Sequence, residues 1–149
     1  MRALFGLWTA LVLLGAGEPS SDFYQGTWTG TSTCVGNRPA CKDEIVVYRF
    51  MPLEDHPGQV RLLADKIIEG KRVPMGALVF NHDEKSNALR CEFRIGNTHG
   101  VWSYLAHGDS LVGDLIILPD GTKGRDVKAH RVKDEKEVPP APALKEYEE

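Results

Sequence analysis

The stretch "YQGTWTGTSTC", Tyr24 to Cys34, decides how the rest of the chain is read. Its Thr residues suit a strand, and its one large aromatic, Trp28, alternates with Gly26, Gly30, Ser32 and Cys34. A strand whose inward positions are small except for one indole is either an ordinary half-buried strand or the opening of a barrel that holds a ligand. The segments that follow favour closure. No window past residue 17 carries a period of 3.6 residues, whereas short alternating segments recur with turn residues between them.

Eight segments can be drawn: about Gly26 to Thr33, Glu44 to Phe50, Val60 to Ile68, Gly76 to Phe80, Ala88 to Arg94, Val101 to Ala106, Leu111 to Leu118 and Gly124 to Val132. The breaks between them include "MPLEDHPG", "EGKRVP", "NHDEKSN", "IGNTHG", "HGDS" and "PDG". Pro119-Asp120-Gly121 is the clearest hairpin signal, since Pro presets φ and Asp and Gly suit the remaining turn positions. Connections this short cannot carry parallel crossovers, so sequential strands should pair antiparallel. An eight-stranded up-and-down meander that closes removes its edges and leaves an interior for side chains or one small ligand. The expected class is therefore all-β, an eight-stranded antiparallel up-and-down barrel, with a two-sheet sandwich as the alternative.

Phase assigns inner faces. Leu89 alternates with Cys91 and Phe93, Trp102 with Tyr104 and Ala106, Leu111 with Gly113, Leu115 and Ile117, and Arg125 with Val127, Ala129 and Arg131. An Arg in an apolar phase needs a partner or a stacking surface.

Composition bounds the rest. The chain has 149 residues, 42% hydrophobic and 26% charged, the balance of one globular domain. "MRALFGLWTALVLLGAG" has one Arg, an apolar run and then small residues, so residues 1–17 are expected to be a cleaved secretory signal. The alternative is a membrane anchor, for which the run is short of the ~20 residues a spanning helix needs. Without Arg2, the chain from Glu18 has 17 basic and 21 acidic residues, a net charge of -4, which speaks against nucleic-acid binding. Residues 18–132 are expected to form the barrel. Residues 133–149, "KDEKEVPPAPALKEYEE", read as a disordered acidic tail. Three cysteines in an exported chain allow one disulfide. Cys34 with Cys41 is favoured, because the two flank the loop "VGNRPA" and can meet across its mouth; pairing of either with Cys91 stays open.

The opening "SDFYQGTW" resembles the start of the lipocalins and the wider calycin superfamily, where G-x-W begins the first barrel strand. The resemblance implies that Trp28 closes one barrel end and stacks on an Arg of the last strand, here Arg125 or Arg131, a contact worth about 0.5 to 2 kcal/mol. The family's T-D-Y motif and its C-terminal helix have no counterpart, "HGDS" and Pro139, Pro140 and Pro142 standing in their places. A more distant likeness is to the nitrobindins, whose G-x-W-x-G opening Gly26, Trp28 and Gly30 satisfy. That family holds haem through a His on a late strand, a place His130 would take, but its Y-P-T-I is absent. No cofactor is expected.

The five His residues, His56, His82, His99, His107 and His130, have no metal-ligand spacing. No G-x-S-x-G occurs, and no His stands near a Cys in sequence to activate it, so no enzyme is expected. "DGTKGRD" leads into a strand rather than the helix a phosphate loop needs. Two functions remain. One is a small exported, monomeric barrel, secreted or periplasmic, that holds a small apolar molecule. Its cavity candidates are Trp28, Phe93, Trp102, Tyr104 and Arg125. The other is an interaction or inhibitor module with a filled interior and functional loops. The bulk of the candidate inward residues predicts a small or absent cavity.

Overall fold

The computed structural model describes residues 20–148; the expected signal, residues 1–17, lies outside them. After a 3-10 turn at Ser21–Tyr24 come eight strands: β1 Gly26–Cys34, β2 Glu44–Pro52, β3 Gln59–Ile68, β4 Lys71–His82, β5 Leu89–Ile95, β6 Thr98–His107, β7 Ser110–Ile117 and β8 Thr122–Arg131. Each pairs antiparallel with the next, and β1 pairs with β8, giving a closed up-and-down barrel. The sandwich alternative is thereby excluded. Among the described residues no helix is long and apolar enough to cross a membrane.

Closure depends on Gly30. It faces Val46 on one side and Ala129 on the other, and a Cβ there would overlap the Lys128 carbonyl oxygen and lie 2.5 Å from Ala129 Cα. Only glycine lets β1 and β8 approach this closely. The interior is one apolar cluster in which Trp28, Val46, Tyr48, Phe50, Val60, Leu62, Phe80, Leu89, Tyr104, Leu111 and Val127 are buried, as the alternation requires. Tyr104 lies at its centre, with ring centroids 5.5 Å from Tyr48, 5.6 Å from Phe50 and 5.4 Å from Phe80, and it stacks on Trp102 at 5.8 Å.

Two departures from the sequence reading matter. First, "EGKRVP" is a tight hairpin rather than a break. Glu69 and Gly70 both take positive φ, 49° and 76°, as a two-residue turn between right-twisted strands requires, so β4 begins at Lys71. Pro74 is tolerated at the irregularity that follows: Asp65 opposes Pro74 while Ala64 opposes Gly76, leaving Met75 as the extra residue of a bulge.

Second, the tail beyond residue 132, expected to be disordered, is ordered against the barrel. It forms short 3-10 turns at Glu135–Glu137 and Leu144–Tyr147. Arg72 donates to the Pro139 carbonyl at 3.3 Å, and Tyr147, only 7% exposed, donates its hydroxyl to Asp65 Oδ1. Composition failed here because one aromatic and three prolines suffice. Tyr147 supplies burial, and proline limits the entropy lost on docking. The outward positions Val47, Leu63 and Asp65 are 1% exposed or less. Asp65 is paired there, its Oδ2 accepting from Arg72 Nε at 2.9 Å.

Candidate functional site

The two barrel ends are built differently. At the end where β1 starts and β8 stops, Trp28 is fully buried and donates Nε1–H to the Tyr24 carbonyl at 3.0 Å. Arg131, its direct cross-strand neighbour, lies 4.2 Å over the indole. That guanidinium is fixed by donating to Gln25 O at 2.9 Å, Phe23 O at 2.8 Å and Asp109 Oδ1 at 3.2 Å. Of the two Arg left open by the sequence, Arg131 is the stacking partner. Tyr24, which the strand reading passed over, completes the plug. Its hydroxyl donates to the Asn87 carbonyl and accepts from the Ala106 amide at 3.1 Å. Its phase with Gly26 and Trp28 was the available signal.

At the other end Arg125 is engaged by protein. It donates to Ser32 Oγ at 3.1 Å and the Lys42 carbonyl at 3.1 Å, and lies 3.6 Å from Glu44. These partners hold it beneath the loop closed by the Cys34–Cys41 disulfide. Cys91 is a buried free thiol, as the favoured pairing implied, and burial raises its pKa.

Between the ends the wall is incomplete. β4 and β5 pair only through Asn81 with Arg90 and His82 with Leu89, and past these the strands part. A cavity of about 210 Å³ opens there. Its interior lining includes Tyr48, Leu62, Leu78, Phe93, Trp102 and Tyr104, and its rim carries Met75 and Ile95, 41% and 66% exposed. The extra residue Met75 lies at the slot. Glycines opposite the large rings set the depth. A Cβ on Gly113 would fall 2.5 Å from Tyr104 Cδ1, and one on Gly100 3.1 Å from the Phe93 ring.

Phe93, Trp102 and Tyr104 thus share one lining. Trp28 and Arg125 do not line the cavity: the first is sealed under Arg131, the second is held by Ser32, Lys42 and Glu44. The lining is dry in chemical character. Its phenols stay neutral, since burial pushes Tyr48 up to about 12 and holds Tyr104 well above the ordinary value. A larger recess of about 580 Å³ at the Trp28 end is bordered mainly by loop residues such as Ser20, Asp22, Gln25 and Glu54, with Met51, Pro52 and Leu53 among them.

The histidines are dispersed. His82 bonds Asn87 at 2.8 Å, His99 bonds Glu92 at 2.6 Å, and His130, outward and exposed, meets Glu137 at 3.3 Å. Among the described residues no group of His, Cys, Asp and Glu is placed to hold a metal. The barrel fits a calycin-like fold. No family model matches the chain, and neither a curated protein nor a solved structure matches it.

Proposed function

We propose that this protein is an exported calycin-like carrier that binds one small, uncharged apolar molecule in the slot between β4 and β5, and that it binds without catalysing. The apolar cavity lined by Phe93, Trp102 and Tyr104 carries the reading. Its volume of about 210 Å³ lies below the ~300–1,000 Å³ of drug-sized sites, so a ligand of one or two rings fits better than a long chain. Such a ligand buries roughly 150–250 Å² of apolar surface, worth about 4 to 6 kcal/mol before the cost of association. Export rests on the apolar N-terminal run and agrees with a formed disulfide, which belongs to oxidising compartments.

One observation favours a second reading, protein contact. Past Asn81 and His82 the facing edges of β4 and β5 have no ladder partner, and Val79 and Ile95 beside them are exposed. An extended peptide can add to such edges. Chemical-shift mapping separates the two. Titration with neutral aromatics such as indole and naphthalene should move Phe93, Trp102 and Ala64 signals saturably and raise the melting temperature. Absence of any saturable shift across such a series would remove the carrier reading, and shifts confined to β4 and β5 edge amides with peptides would replace it.

A further inference from the structure

The tail lies over the outer face of β2 and β3 and is held there at one buried point. Among residues 133–148 only Tyr147 is buried; Val138, Pro139 and Pro142 are half-buried and the rest are exposed. Beneath the tail, Val47, Arg49, Leu63 and Asp65 form one outward patch, Val47 opposite Asp65 and Arg49 opposite Leu63. Docking on that patch gains two hydrogen bonds. The Tyr147 hydroxyl donates to Asp65 Oδ1, and Arg72 Nη1 donates to the Pro139 carbonyl at 3.3 Å.

Docking also carries a penalty. Arg49 Nε and Nη2 are sealed from solvent, and among the described residues neither has an acceptor. The buried carboxylate diagonal to them supplies none, since Asp65 Oδ2 is taken by Arg72 and Oδ1 by Tyr147. Buried donors without acceptors are rare in folded proteins, and a charged one is costlier than a neutral one. Lifting the tail would return Arg49 to water and leave the Asp65–Arg72 pair, which lies wholly within the barrel strands, intact. We propose that the tail is a strap poised to open. The stranded guanidinium offsets much of what Tyr147 and Pro139 contribute, so the open form is a populated minor state. Opening presents a face that the docked form hides, apolar at Val47 and Leu63 and cationic at Arg49. The strap lies outside the barrel and is independent of the slot.

The test is methyl relaxation dispersion on the full chain, read at Val47 and Leu63 under the tail, with Leu111 in the barrel core as the control for global motion. The wild type should show exchange at Val47 and Leu63 at one common rate, with an open population of about 0.1 to 10%, and none at Leu111. Arg49→Met, which keeps much of the side-chain length and removes the donors, should lower that population by about fivefold or more, the low end of what an unmet buried donor costs. Tyr147→Phe should raise it. An open population unchanged or larger in Arg49→Met would overturn the proposal, because the sealed guanidinium would then support docking. A wild type without exchange at Val47 and Leu63 would overturn it too, since such a tail is locked. Exchange shared equally by Leu111 would assign the motion to the whole barrel and also overturn it. If Arg49→Met does not fold, the wild-type comparison of Val47 and Leu63 with Leu111 still decides.

Discussion

Replacing Trp28 by Ala should be among the most damaging single changes in the barrel. The indole is fully buried, and its removal leaves a void enclosed by Tyr24 and its core neighbours rather than by solvent. Core Trp deletions cost about 3 to 5 kcal/mol, of which the lost Nε1–H bond to the Tyr24 carbonyl is part. Arg131 keeps its bonds to Gln25 O, Phe23 O and Asp109, so it stays in place and loses only the indole beneath it. For a domain of this length the loss corresponds to a melting temperature lower by roughly 6 to 20 °C. Urea unfolding followed by circular dichroism, with wild type and variant at equal slope, gives the value directly. A double-mutant cycle with Trp28→Leu and Arg131→Met should return a coupling of about 0.5 to 2 kcal/mol for the stacked pair. A loss below ~1 kcal/mol for Trp28→Ala, against the range that core aromatics show, would refute the plug.

Gly30→Ala should separate β1 from β8 and destabilise by at least about 1 to 3 kcal/mol, while Thr31→Ala beside it changes little; equal effects would refute the close-approach argument. Tyr147→Phe should free the tail, measured as faster amide exchange over residues 138–148 and a loss of about 1 to 3 kcal/mol as buried Asp65 loses a donor. All four tyrosines have raised pKa values, with burial the first cause in each, so folding favours the neutral phenols. That stability is complete below the unfolded value of 10 and is lost as pH rises from there through the folded value, about 12 for Tyr48, which alone accounts for about 3 kcal/mol. Tyrosinate absorbance should therefore rise in one step with unfolding, and a phenol that ionises near pH 10 in the folded protein would contradict this.

Strand number and inner faces were legible because both rest on local information: alternation, turn residues and short connections. Cys34 and Cys41 were legible for the same reason, lying at the two mouths of one loop. Closure was the favoured reading but a two-sheet sandwich stayed open, because the β1–β8 pairing that decides it joins the first strand to the last. Arg125 and Arg131 share a phase, and only the register that sets Arg131 opposite Trp28 separates them. The slot was not legible, since how far β4 and β5 stay paired depends on barrel closure and on the Met75 bulge rather than on either strand alone. The ordered tail was missed because its partners are distant in sequence. Tyr147 looks solvated among acids until Asp65 and Arg72 are brought beneath it. The adjacent apolar pair Val46 and Val47 hinted at this, since a strand buried on both faces needs a cover on the outside.

The central claim is that the slot between β4 and β5 is a binding site, and the most direct test fills it. Ala64 faces inward and lines the cavity, so Ala64→Phe places a ring where a ligand would lie. Calorimetry with naphthalene on wild type and variant, both checked for native circular dichroism, reads the outcome. The account predicts one saturable site in the wild type and at least a tenfold weaker response in the folded variant. Naphthalene binding equally to both, or to neither, would contradict it.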